Sequence, residues 1–117
     1  MTQAAIDFAH LDRYVAGDVA LRDEVLTIFE SQVARCLRLL DPDAPHEEWR
    51  SIAHALKGAS RGIGAWEIGD LCAEAEGMKG VSADIRDRRV EAKAQIEQCA
   101  KSALEEIRRL RRDTADA

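Results

Sequence analysis

Apolar residues recur at intervals of three and four along almost the whole of this 117-residue chain, and over no useful length do they alternate. The first period belongs to helices that bury one face; half-buried strands would need the second. The longest such stretch runs from Asp18 to about Leu40, with Leu21, Val25, Ile28, Phe29, Gln32, Val33, Cys36, Leu37 and Leu40 on its stripe and Asp18 placed to cap its first turn. Ahead of it, Asp7 caps a short helix carrying Phe8, Leu11 and Val15, and Gly17 stops that helix. The DPDAP segment breaks the chain, and its Pro45 suits the first turn of the next helix, which ends near Gly62–Gly64. A fourth helix starts about Ala65, turns Ile68, Leu71, Cys72 and Ala75 inward, and frays at GMKG. Ser82 caps a fifth, whose inner residues are Ile85, Ala92, Ile96, Cys99, Ala103, Ile107 and Leu110, and the final TADA is expected to fray. Four substantial amphipathic helices with short connections predict an all-α fold: an antiparallel four-helix bundle with an additional short N-terminal helix as a lid on one end.

Composition supports one domain over residues 1–117. With 46% hydrophobic and 33% charged positions the chain can build a single modest core, well away from the disordered range. Its net charge of -5 argues against a nucleic-acid partner, because a phosphate backbone calls for basic surface. Arg108, Arg109, Arg111 and Arg112 do not change that reading: cations at a helix C-terminus complement its dipole, and Glu105 and Glu106 sit alongside. No apolar run is long enough to span a membrane, and the start MTQAAIDFAH lacks the layout of a signal peptide, so a cytoplasmic protein without membrane contact is expected. Cys36, Cys72 and Cys99 are widely spaced, form no C-x-x-C pair, and are read as buried, reduced packing residues. His10 and His46 have acidic neighbours but no histidine at i+3 or i+4, so no metal site is assigned.

The segment AHALKGASRGIGA, Ala53 to Ala65, carries the chemistry. At about 100° per residue, Trp49, Ile52, Ala53, Leu56, Ala59, Ser60 and Ile63 share one face, and His54 points away from its centre. Lys57, Gly58 and Arg61 follow His54 at i+3, i+4 and i+7 and are therefore its neighbours on the solvent side. A glycine inside a helix costs on the order of 1 kcal/mol relative to alanine, so Gly58 needs a reason, and clearing space for a visiting protein or anion is one. Lys57 could screen negative charge arriving on the ring, and Arg61 could do the same one turn farther on. Ser60 lies on the inner stripe as a small residue that lets helices approach, with its hydroxyl able to bond the carbonyl one turn back. Gly64 lets the chain turn tightly between helices. Trp66 falls off the inner stripe, where it either covers the helix corner or widens a docking surface.

These residues resemble the histidine phosphotransfer (HPt) domain of multistep two-component signalling. The pattern Ala53, His54, Leu56, Lys57, Gly58, Ser60, Gly64 and Ala65, followed by Leu71, Cys72 and Glu76, is similar to that family's signature. Ile63 and Ile68 stand where leucine is common, and Ala75 replaces a larger apolar residue; these three departures touch packing only. The resemblance implies that His54 is the phosphoacceptor, Lys57 screens charge, Gly58 and Arg61 face the partner, and Ser60 and Gly64 give structural support. It also implies that the partners are response-regulator receiver domains, including the receiver of a hybrid histidine kinase. The chain itself is expected to act as a monomer and to need no cofactor, with magnesium bound on the receiver. No G-x-x-x-x-G-K-[ST] or G-x-G-x-x-G loop occurs, which argues against autophosphorylation from ATP and for a histidine phosphotransfer intermediate without autonomous kinase activity. Two other readings remain open at this level: a non-phosphorylated helical adaptor that binds receiver or kinase domains, and the dimerisation and phosphoacceptor bundle of a histidine kinase.

Overall fold

The computed structural model describes residues 4–115, and its elements are helices throughout: α1 (Phe8–Tyr14), α2 (Val19–Leu39), α3 (His46–Ile63), α4 (Trp66–Glu76) and α5 (Ala83–Ala115). Two aspartates start the first two helices. Asp7 accepts from the His10 amide at 3.0 Å and Asp18 from the Leu21 amide at 3.0 Å, each satisfying a donor that the helix itself leaves orphaned. Pro45 lies one residue before the first turn of α3 rather than inside it. Ser82 accepts from the Ile85 amide at 3.3 Å and so begins α5. Gly64 closes α3 with φ +87, the left-handed conformation that a residue without Cβ adopts without strain.

The helices run up and down, as three cross-links show. The Trp49 indole at the start of α3 donates to the Ala75 carbonyl at the end of α4 at 2.7 Å. Arg89, early in α5, donates to Met78 just past α4 and to Pro42 and Ala44 in the α2–α3 connection. Arg111, near the end of α5, reaches Asp23, Thr27 and Glu30 in the first half of α2. Thus α2 to α5 form the bundle, elongated to 52 × 27 × 20 Å, and α1 packs on α3. No strand occurs among the described residues.

Trp49, Phe29, Leu26, Leu56, Ile68, Ile96 and Ile107 centre the core, and each is essentially closed to solvent. Burying a side chain of this size contributes about 1.5–3 kcal/mol relative to leaving it exposed. The stripe expected on α2 proves to be two stripes. Leu26, Phe29, Val33, Cys36 and Leu40 are the core line, whereas Leu21, Ile28 and Gln32 are exposed. The second line lies about 100° around the helix from the first. Spacing by threes and fours cannot separate two such lines when both are apolar. Phe8 is likewise exposed rather than inward, and Ile6, just before α1, is fully buried in its place. Cys36 and Cys72 are buried and Cys99 is only partly so; all three are free.

One charged residue joins the core. Arg89 is 2% exposed and no carboxylate pairs with it among the described residues. Its Nε–H donates to the Met78 carbonyl at 3.0 Å, its Nη1 to the carbonyls of Pro42 and Ala44 at 3.1 and 2.9 Å, and its guanidinium carbon lies 4.9 Å from the Trp49 ring centroid. Carbonyl dipoles and an aromatic face replace part of the water that the cation gives up, while its Nη2 is buried without a partner among the described residues. The helical period places position 89 on the inner line of α5, four residues after Ile85 and three before Ala92, but does not show what holds a cation there.

Candidate functional site

His54 projects from the middle of α3 with its side chain 64% exposed. The stripe beneath it explains the orientation, because Trp49, Ala53, Leu56, Ser60 and Ile63 are all buried and fix the roll of the helix. The ring is open but not free. Its Nδ1 lies 2.7 Å from Oε1 of Glu76, the last residue of α4. The other Glu76 oxygen accepts from the Lys57 ammonium at 2.9 Å. Two residues one turn apart on α3 therefore share one carboxylate from α4.

Partial burial pushes the Glu76 carboxyl up, but the hydrogen bonds from Lys57 and His54 and their positive charge outweigh it, and the net shift is below the usual glutamate value. Glu76 is thus a carboxylate at neutral pH, and a carboxylate can only accept. The proton on the neutral imidazole is therefore on Nδ1, which leaves the lone pair on Nε2. Nε2 has no hydrogen-bond partner among the described residues. The arrangement supplies an exposed nucleophilic nitrogen backed by an oriented anion, as in a carboxylate–histidine pair.

The neighbours fall into place around this pair. A Cβ built on Gly58 would meet nothing within 4 Å, so the glycine leaves the surface beside His54 bare for no internal reason. Arg61 lies over α4: its guanidinium is 3.6 Å from Asp70, and a Cβ on Gly69 would come within 2.8 Å of the Arg61 Cγ. It is held against its own chain in this structure. Ser60 is fully buried, and its hydroxyl makes no hydrogen bond, unlike the back-bond to a carbonyl expected from its position. The orphaned oxygen leaves small size as the property the packing uses. Gly64 is required by its neighbours, since a Cβ there would stand 2.9 Å from the Asp7 carbonyl oxygen.

Trp66 is bonded to its own chain at one edge and stays 42% exposed. Its indole donates to Asp7 at 3.0 Å and its ring meets His10 edge-on with centroids 4.7 Å apart, which fixes it at the α3–α4 corner beside α1. His10 in turn donates from Nε2 to the Gly62 carbonyl at 3.1 Å. His46 has a buried Nδ1 without a partner. No group of three or more His, Cys, Asp or Glu side chains is placed to hold a metal among the described residues.

The role of Glu76 was the part that the sequence left unassigned. It appeared only as the end of a motif, 22 residues from His54, and nothing in a single sequence measures that contact.

The Hpt domain family model matches residues 21–111. The chain belongs to the Hpt domain family. The crystal structure of histidine phosphotransferase ShpA from Caulobacter crescentus is similar to it at 36% sequence identity and a TM-score of 0.58, over 90% of this chain and 96% of that one. No curated protein matches the chain significantly. The family places this Hpt domain in two-component phosphorelay, and its helical bundle agrees with that placement. No helix among its described residues is long and apolar enough to cross a membrane.

Proposed function

We propose that this Hpt domain carries a phosphoryl group on His54, taking it from the aspartyl phosphate of one receiver domain and giving it to the aspartate of another. The supporting observation is the exposed His54 ring whose Nδ1 is tied to Glu76 at 2.7 Å, leaving Nε2 as the nucleophile. In the forward step the Nε2 lone pair attacks phosphorus in line, and the bond from phosphorus to the receiver's carboxylate oxygen breaks. The electron pair leaves with that carboxylate. No proton moves, because the leaving carboxylate needs none and Nδ1 keeps its own. The ring becomes cationic, and Glu76 stabilises it through the hydrogen bond already in place. The second receiver reverses the step with its own carboxylate.

Lys57 holds the other oxygen of Glu76 and keeps that carboxylate ionised, and its ammonium lies one turn from the arriving phosphoryl oxygens, where it screens their charge. The remaining charge neutralisation is assigned to a divalent ion bound on the receiver. Gly58 leaves room for the receiver's surface. Arg61 can join only by leaving Asp70.

The experiment is label transfer from receivers charged on their aspartate. Wild-type protein is expected to acquire an acid-labile, base-stable label that is absent from His54→Gln. Unchanged labelling of that variant would sink the proposal, and a complex that forms while no label ever moves would favour the adaptor reading.

A further inference from the structure

Glu76 is the last residue of α4, and nothing in α4 itself favours a carboxylate there. The final turn carries Glu74 and Glu76 and no cation, so two negative charges sit at the negative end of the helix dipole and promote fraying. Yet this carboxylate has to stay within bonding distance of a ring on another helix. Two donors from outside α4 bracket it. The Trp49 indole donates to the Ala75 carbonyl at 2.7 Å, one residue before Glu76. The Arg89 Nε–H donates to the Met78 carbonyl at 3.0 Å, two residues after it. The two donors also meet each other, with the guanidinium carbon 4.9 Å from the Trp49 ring centroid. The same guanidinium bonds the carbonyls of Pro42 and Ala44, which lead into α3, the helix of His54. One buried cation therefore joins the entry of the histidine's helix to the exit of the glutamate's.

We propose that Arg89, together with Trp49, is a positioning residue for phosphotransfer: it holds the end of α4 against α3 so that Glu76 meets Nδ1 of His54. This role rests on the phosphotransfer reading above, and it is indirect, since the hydrogen bonds of Arg89 and Trp49 go to backbone carbonyls and not to His54 or Glu76. A hydrogen bond weakens steeply as its distance and angle depart from the optimum. A displaced Glu76 would release the Nδ1 proton from its fixed place, and the ring would then populate both tautomers. Only the tautomer with a bare Nε2 can attack phosphorus there.

The test uses the full chain and reads the ring as well as the rate. Arg89→Met removes every donor at similar length, and Trp49→Phe removes only the indole N–H. Each is compared in the presence of Glu76 and in combination with Glu76→Ala. Labelling by phosphoramidate, a small donor that needs no docking surface, is measured beside labelling by a charged receiver domain. With Glu76 present, each variant is expected to label roughly three- to tenfold more slowly with both donors. Combined with Glu76→Ala, the same substitutions should change the rates by less than about twofold, because no carboxylate is left to place. The ring nitrogen signals of His54, read by NMR well below the unfolding midpoint, should show one tautomer, Nδ1–H, in the wild type and a mixture in the variants. Arg111→Ala, which loosens the far end of α5, should leave both readouts as in the wild type. Wild-type rates with a wild-type ring spectrum in the variants would overturn the inference. So would equal slowing with and without Glu76, which a general loosening of the bundle would produce. If Arg89→Met does not fold, Trp49→Phe decides alone. A wild-type His54 that neither donor labels would instead overturn the phosphotransfer reading.

Discussion

Glu76 bonds two neighbours at once. With Oε1 on His54 and Oε2 on Lys57, replacing it by glutamine keeps the shape but removes the charge that faces the ring. A hydrogen bond to a charged group contributes about 1.5–3 kcal/mol, so Glu76→Gln should slow transfer to His54 on the order of ten- to a hundredfold while the protein stays folded. Transfer rates against a single charged receiver, with circular dichroism on the same sample, check this. The same residue predicts a pH dependence of stability. Its carboxyl is held below the usual value in the folded protein, so the unfolded chain binds more protons in the acid range. The stabilisation is therefore complete above the ordinary carboxylate range near about 4 and is lost as pH falls through the folded value. Asp7, held down by the Trp66 and His10 hydrogen bonds, and Asp43, held down by Arg86, act in the same direction. The melting temperature should decline on acidification, and Glu76→Gln should flatten that decline without abolishing it.

Among the elements, α5 is tied to the rest at its two ends by different means. Near its start Arg89 gathers the α4–α5 and α2–α3 connections, and near its end Arg111 binds along α2. Only the first tie is buried. Removing it leaves three carbonyls short of a donor inside the fold, so Arg89→Ala should lower stability by about 3 kcal/mol in urea titration. Lysine should not restore it, since an ammonium lacks the planar fork that serves carbonyls on both sides. Arg111→Ala, at a largely solvent-facing cluster, should cost about 1 kcal/mol or less. On α3, one helix performs two tasks: its inner stripe sets the roll, and that roll alone exposes His54.

At the scale of the molecule, the closed bundle buries two of its three thiols, Cys36 and Cys72. Burial pushes Cys72 up to about 12, and burial together with Glu67 pushes Cys99 up to about 11. Few thiolates exist at about pH 8, and the thiolate is the reacting species. Alkylation of Cys72 in the native protein should therefore proceed only through opening of the bundle and should accelerate sharply at the unfolding midpoint, as mass spectrometry of quenched samples would show. Rapid native labelling at Cys72 would mean that α4 detaches locally.

The helical period and the caps are local properties, so Asp7, Asp18, Ser82 and Gly64 were legible as element ends from neighbouring residues alone. The exposure of His54 was legible too, because a histidine opposite a strong apolar stripe is exposed wherever that stripe is buried. What lies between elements was not. Whether Ile28 faced the core or the solvent depended on how closely neighbouring helices approach, which no spacing within one helix encodes; Arg89 is inward by spacing, but the carbonyls that receive its charge come from two distant connections. Glu76 meets His54 only because α3 and α4 lie antiparallel with this register, which the Trp49 bond to the Ala75 carbonyl shares. Sequence alone determined the helices and the exposed imidazole; tertiary structure decided which carboxylate orients it, because that contact spans two elements and has no local signature.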